Sequence, residues 1–443
     1  MRLITLAGRH SLKHIRCRLT PFLSAAALVC AGLLIIFVQF STQAAGPQQN
    51  QNGATDDIDV LDLPGSPGRL SNSCGVPDNL TEPQTPVFDM QYPVSLPAVS
   101  LLGARNDLPN PYEPGVHWGR LPDERVWGST AGISRAPDGT IWAIDRCGKT
   151  GAGGTTCLES SLEPVLQFDQ SGKLLQSFGQ GLIVSPHKIT VAPNGMIWVA
   201  DNGVAEDKGQ QILKFSPDGE LLMTLGTAGQ AGSGPGMFDS PTEVAVNLDG
   251  VIYVADGHSG GGGAHGNARI VKFAQDGTFI RAWGRKGMGA GEFDVVHTIA
   301  LDSTGRVYVG DRQNNRLQIF DEDGHFIDVW YQFGRPSGIH IDEHDILYVA
   351  DSESRDGRTN IGRAGLPATG YGFNPGAARG IRIGHVEDGR VDYLIPDPCP
   401  YPYAGVSSLA EGVTTDADGN VYGADYLGTV RKFKNTLRTS EGR

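Results

Sequence analysis

A short apolar strand ending in aspartate recurs six times in this chain of 443 residues, and the recurrence restricts the fold more than any other feature. The six copies are Ile141-Trp-Ala-Ile-Asp145, Ile197-Trp-Val-Ala-Asp201, Ile252-Tyr-Val-Ala-Asp256, Val307-Tyr-Val-Gly-Asp311, Leu347-Tyr-Val-Ala-Asp351 and Val421-Tyr-Gly-Ala-Asp425. Most follow an Asp-Gly or Asn-Gly turn (Asp138-Gly139, Asn194-Gly195, Asp249-Gly250, Asp418-Gly419), the strongest short-range hairpin signal. An apolar strand precedes each turn and a third follows each aspartate: Val165–Asp169, Ile212–Ser216, Ile270–Ala274, Leu317–Asp321, Ile381–His385 and Val430–Lys434. In five repeats a further turn leads to a fourth strand. Four antiparallel strands cannot cover both of their own faces, whereas sheets stacked around an axis cover each other. The sequence therefore predicts an all-β, six-bladed β-propeller over residues 116–434. The sixth repeat stops after its third strand, so its outer strand is expected from before residue 126. Glycine at 61 of 443, with no Gly-X-Y period, fits tight turns and excludes collagen.

The flanks are of a different character. Arg2, Arg9, Lys13, Arg16 and Arg18 precede an uncharged apolar stretch over 22–40, and small residues follow at Ala44 and Ala45. Residues 1–45 read as an export signal or an uncleaved membrane anchor, and both place the body outside the cytoplasm, periplasmic or secreted. Residues 46–115, rich in Pro, Gly, Asn and Gln, read as an extended linker, and 435–443 as a tail. Formal charge is −13, and beyond the first 45 residues 31 basic side chains face 49 acidic ones. That excess argues against a nucleic-acid partner and leaves a small-molecule or peptide substrate open. A monomer is expected. Cys74, Cys147, Cys157 and Cys399 form an even set in the exported part. The preferred pairing is Cys147 with Cys157 and Cys74 with Cys399, and zinc-binding cysteine pairs are the alternative.

Propeller geometry then sorts the polar residues. The innermost strand of a blade starts at one mouth of the channel, and the second strand returns there. The residue eight before each turn glycine (Asp345 in blade five) starts the innermost strand. In order these are Ala131, His187, Thr242, His297, Ser337 and Glu411. The donors fall on alternate blades, about 120° apart in a six-fold ring. His187, His297 and Glu411 would converge as a divalent-metal site with an open axial position, or would line a hydrated mouth. Residues after the strand-two aspartates share that mouth: Arg146, Asn202, His258, Arg312 and Tyr426. Arg146 is a candidate for holding a carboxylate or an oxyanion, with His258 or Tyr426 as proton carrier. Arg312 and Asn202 are candidate substrate contacts, though Arg312 also suits bracing of Asp311. The Gly260–Gly263 run between His258 and His265 reads as a loop near the mouth.

Asn267-Ala-Arg269-Ile-Val-Lys-Phe273 after Asp256, and Asn315-Arg316-Leu-Gln-Ile-Phe320 after Asp311, resemble NHL repeats. Ser185-Pro-His187-Lys-Ile, Val296-His297-Thr-Ile-Ala and Gly310-Asp311-Arg312 further resemble the peptidyl-α-hydroxyglycine α-amidating lyases, chiefly their secreted bacterial members. The resemblance covers most of 116–434. It implies a catalytic Zn²⁺ on three histidines, of which His187 and His297 match two while Glu411 stands at the third. It implies a catalytic arginine at Arg146. His258 replaces the family tyrosine, and Gly412 replaces an aspartate. The implied reaction cleaves the C–N bond of an α-hydroxyglycine unit to an amide and glyoxylate. Two other readings remain open. One is a non-enzymatic NHL propeller binding a peptide, glycan or envelope protein. The other is a lactonase-like propeller with Ca²⁺ on oxygen ligands, which the histidine pair argues against.

Overall fold

The computed structural model describes residues 103–122, 125–148, 157–258, 266–354, 372, 374, 376–397, 410–425 and 428–437. The signal or anchor segment, Cys74, Cys399, Tyr426, Gly260–Gly263 and His265 lie outside them. Among the described residues no helix is long and apolar enough to cross a membrane.

The described residues form six four-stranded antiparallel sheets, each in sequential strand order except the last. Blade one runs Ile133–Arg135, Ile141–Ile144, Val165–Phe168, Leu174–Phe178. Blade two runs Pro186–Val191, Ile197–Val204, Gly209–Phe215, Leu221–Leu225. Blade three runs Pro241–Val246, Ile252–Asp256, Arg269–Phe273, Phe279–Trp283. Blade four runs Val296–Leu301, Val307–Asp311, Arg316–Phe320, Phe326–Trp330. Blade five runs Gly338–Ile341, Ile346–Asp351, Gly380–His385, Val391–Pro396. Blade six has Gly412–Thr415, Val421–Asp425 and Thr429–Phe433, and Val116–Trp118 pairs with Thr429–Phe433 as its outer strand. The ring is thus closed by a segment from the front of the chain. Residues read as linker continue this closure: Tyr112 bridges Asn435, and Leu394 N–H donates to Pro109 O at 3.2 Å.

Neighbouring innermost strands touch all round the ring. One hydrophobic cluster fills each blade interface. Ile144, Val165 and Phe178 meet Ile197 and Phe215 between blades one and two, and Tyr308, Leu317 and Trp330 meet Leu347 and Val349 between blades four and five. This explains why the second strands are apolar throughout: blades cover both of their faces. Each fully buried aromatic contributes about 1.5–3 kcal/mol through its removal from water.

The recurring aspartate has a defined task. Its carboxylate accepts N–H groups of the loop that enters its own blade's innermost strand. Asp145 accepts Gly128 N, Asp201 accepts Val184 N and Ser185 N, Asp256 accepts Asp239 N, Asp311 accepts Asp294 N and Asp351 accepts Arg335 N, all at 2.7–2.9 Å. Buried carboxylates satisfied by backbone donors fix that loop, and so fix where each innermost strand begins. In blade five Asp345 replaces the turn glycine and takes its left-handed backbone, φ 58°.

Candidate metal centre

Three innermost strands carry a β-bulge at one place. Pairing with the second strand skips His187 in blade two, Thr242 in blade three and His297 in blade four. A bulged residue leaves the ladder and its side chain is re-aimed. His187 and His297 thereby meet near the axis, 4.8 Å between ring centroids.

A second geometry, repeated from blade to blade, sets the residues after the aspartates. Arg146 N donates to Ser129 O, Asn202 N to Ser185 O and Arg312 N to Val295 O, at 3.1–3.2 Å, so the three occupy equivalent places on this mouth. In blade three Gly257 N makes the equivalent bond, to Ser240 O at 3.3 Å, and His258 N donates to the same oxygen at 3.0 Å. Gly257 has φ 137°, and a Cβ there would strike Asn267 O, so only glycine fits. The His258 ring, one residue further on, lies 4.7 Å from His187 and 5.1 Å from His297.

His187, His258 and His297 therefore form one group, with one nitrogen of each within 4.8 Å of the others. Their tautomers follow from their partners. His187 Nδ1 lies 3.0 Å from Thr242 O and His297 Nδ1 lies 2.7 Å from Ser337 O. A carbonyl only accepts, so both Nδ1 atoms carry the proton and both Nε2 atoms keep a lone pair, the state metal ligation requires. Burial, reinforced by neighbouring cationic groups, pushes the His187 and His297 imidazoles well below their ordinary value and His258 down to about 3. All three are held neutral at pH 7.

Glu411 stands beside this group. Its Oε1 is 3.2 Å from His297 Nε2 and 3.4 Å from Arg312 Nη1, and its Oε2 accepts from the Ser352 hydroxyl. His297 Nε2 is buried and makes no hydrogen bond. A neutral imidazole lone pair facing a carboxylate oxygen at that separation is an unfavourable contact, which a cation bound at Nε2 would relieve. The nitrogen donor set and this orphaned atom fit a divalent ion such as Zn²⁺ and do not suit Ca²⁺, which takes oxygen.

The remaining predicted residues fall around the same mouth. Arg146 is buried, with Nε donating to Pro186 O at 3.0 Å. Asn202 is half-buried. Arg312 pairs with Glu411 and with Glu353 (3.5 Å), whereas Asp311 is braced by Arg316 at 2.8 Å. Cys147 and Cys157 form a disulfide, Cα atoms 5.3 Å apart, directly after Arg146. Sequence reasoning passed over Ser352, Glu353 and Arg335. Arg335 donates to Arg312 O (2.8 Å) and pairs with Glu353 (3.2 Å), which holds the Arg312 backbone and carboxylate partner together. Their signal was available: Ser352 and Glu353 follow the blade-five Asp351, the register that yields Arg146 and Arg312.

The NHL repeat family matches residues 293–320. NHL repeat-containing protein 3 of Mus musculus is 34% identical over 176 residues, 38% of this chain and 49% of that protein. Peptidyl-glycine alpha-amidating monooxygenase of Mus musculus is 36% identical over 171 residues, covering 36% and 16%. Peptidyl-alpha-hydroxyglycine alpha-amidating lyase 1 of Drosophila melanogaster is 33% identical over 172 residues, covering 36% and 28%. The chain spans about half or less of the length of these relatives. It is a six-bladed propeller with an NHL repeat at residues 293–320, and it resembles the amidating lyases at family level.

Proposed function

We propose that this NHL-repeat propeller is a metal-dependent carbon–nitrogen lyase working outside the cytoplasm, on a peptide or small molecule ending in an α-hydroxyglycine unit. The observation that carries the reading is the convergence of His187, His258 and His297, all neutral and with the Nε2 lone pairs of His187 and His297 unspent, beside a buried carboxylate and two buried arginines. The three imidazoles would hold the ion, Zn²⁺ first among candidates, and leave a coordination position for substrate. When bound, the ion would supply Lewis acidity toward the substrate hydroxyl. Arg146 and Arg312 bind and orient the substrate carboxylate through their guanidinium donors. Glu411 Oε1 accepts the hydroxyl proton and returns it to the departing amide nitrogen as the C–N bond breaks, so that amide and glyoxylate leave with no net proton change. Tyr426, outside the described residues, remains a candidate for sharing that proton.

The Cys147–Cys157 disulfide supports an oxidising compartment, in accord with the N-terminal sequence. The match to a relative whose name carries no activity favours one other reading, a propeller that binds a peptide, glycan or envelope partner at this mouth. Elemental analysis of purified residues 46–443, with glyoxylate release from α-hydroxyglycine peptides as the second readout, separates the two. About one zinc per chain together with glyoxylate release is expected for the lyase. No metal after zinc supply, and no glyoxylate, would leave the binding propeller.

A further inference from the structure

Lys188 is the residue whose presence the proposed reaction leaves unexplained. It is 2% exposed, in the middle of the channel, with its ammonium removed from water. A bare buried ammonium is costly, so its partners must repay it. They come from the opposite side of the ring: Nζ donates to Ser337 O at 3.0 Å in blade five and to Glu411 O in blade six.

The bulge explains how a lysine reaches there. Strand alternation would send residues 187 and 188 to opposite faces, but with His187 out of the ladder both point inward. The same position in the ring reads Gly132, Lys188, Glu243, Thr298, Gly338 and Gly412. The three glycines clear its path. A Cβ on Gly338 would lie 2.7 Å from Glu411 O and 3.3 Å from Lys188 Nζ, one on Gly132 2.8 Å from Lys188 Cα, and one on Gly412 2.6 Å from Ala131 O. Glu243 supplies the opposite charge on this layer, itself held by Thr298 and by Ile299 N at 3.0 Å. Beyond the layer lies a separate cavity of about 480 Å³ at the far mouth, lined by Ile133, Ile189, Val244, Ile299 and Ile339.

What Lys188 grips are the supports of the metal centre. Ser337 O also accepts from His297 Nδ1 (2.7 Å), and Ser337 Oγ bonds Ser352 Oγ (2.6 Å), which donates to Glu411 Oε2. The bonds close a loop through Lys188, Ser337, Ser352 and Glu411, with His297 attached. We propose that Lys188 is a positioning residue for the centre, a built-in cation that pins the carbonyls of Ser337 and Glu411 and so fixes the His297 tautomer and the place of the Glu411 carboxylate. The proposal rests on the reading of the three histidines as a metal site. Outer-shell supports of this kind are worth about 10–100-fold in metal affinity.

The test uses Co²⁺ as probe, with its visible absorption followed in competition with a chelator, and imidazole ¹⁵N NMR of the metal-free protein. Lys188→Met alone leaves Glu243 uncompensated, so the decisive variant is Lys188→Met/Glu243→Gln, compared with Glu243→Gln. Expected are a folded double variant, about 10–100-fold weaker Co²⁺ binding, and loss of the single Nδ1–H signature at His297. Affinity within threefold and an unchanged His297 signature would overturn the proposal, as would an Nε2–H tautomer of His297 in the wild type, a result that needs no variant. If wild type binds no Co²⁺ the metal reading fails, while the NMR comparison still decides the role of Lys188.

Discussion

The sharpest perturbation is a pair of substitutions, His258→Ala and Glu411→Gln, because two ligand sets compete for one ion. A reading by alternate blades gives His187, His297 and Glu411; the structure groups His258 with His187 and His297, and leaves Glu411 tied to Arg312 and Ser352. Apparent zinc binding of about 10–16 kcal/mol, shared over four ligands, gives roughly 2.5–4 kcal/mol for each. Loss of the His258 ring, 4.7 Å and 5.1 Å from its two neighbours, should therefore weaken the site by about 10²–10³-fold. Glu411→Gln preserves shape and the Ser352 contact, so its cost should stay near the outer-shell minimum of about tenfold. It removes the proton acceptor, however, and turnover should fall by about 10²–10⁴-fold with metal still bound. Competitive Co²⁺ titration and a glyoxylate assay on both variants, with His187→Ala as reference and thermal melts as the folding control, give the comparison. If His258→Ala binds within tenfold of wild type while Glu411→Gln loses as much as His187→Ala, the grouping is wrong and Glu411 is the ligand.

Three further outcomes follow from the scaffold. Cys157→Ser opens a loop of ten residues, which by chain entropy should cost about 3 kcal/mol, or ~4 °C by calorimetry for a body of this size; an unchanged melt would mean that the disulfide does not constrain the unfolded chain. Asp311→Ala strands the Asp294 N–H and leaves the buried Arg316 guanidinium with carbonyl partners but no counter-charge, and should destabilise by about 3–5 kcal/mol in urea unfolding; a cost below about 1 kcal/mol would remove the aspartates from their bracing role. His340 gives a pH signature. Burial pushes its imidazole down to about 4, with Arg135 adding to the shift and Asp342 and Glu343 opposing it. As pH falls the unfolded chain takes up this proton first, near 6.5, so stability is full above that value and is lost toward 4. The loss approaches about 3 kcal/mol, and His340→Gln should flatten that part of the stability–pH curve; equal slopes in both proteins would refute the assignment.

Much of the fold could be read from residue order because a propeller writes one register six times. The turn glycines, the apolar second strands and their terminal aspartates each answer to a local physical demand, and the closing strand follows from counting. The centre depended on events that leave little trace in a periodic pattern. Counting eight residues back from the turn finds His187, His297 and Glu411 but assumes identical ladders. In fact blades two, three and four carry a bulge at that position, while in blade six the described ladder runs without a shift from Gly412, so that equal counts do not give equal directions. His258 enters the group from one residue beyond the place of Arg146 and Arg312, after Gly257, whose backbone lies in a region that other residues avoid. In a regular ladder Lys188 would point away from His187, and the bulge at His187 turns it inward. A bulge moves two consecutive side chains onto one face, and here that puts His187 in the three-histidine group and Lys188 on the layer beneath it. The polar residues that set the chemistry are therefore best sought where the repeat is locally broken, since an unbroken ladder has its directions committed to packing between blades.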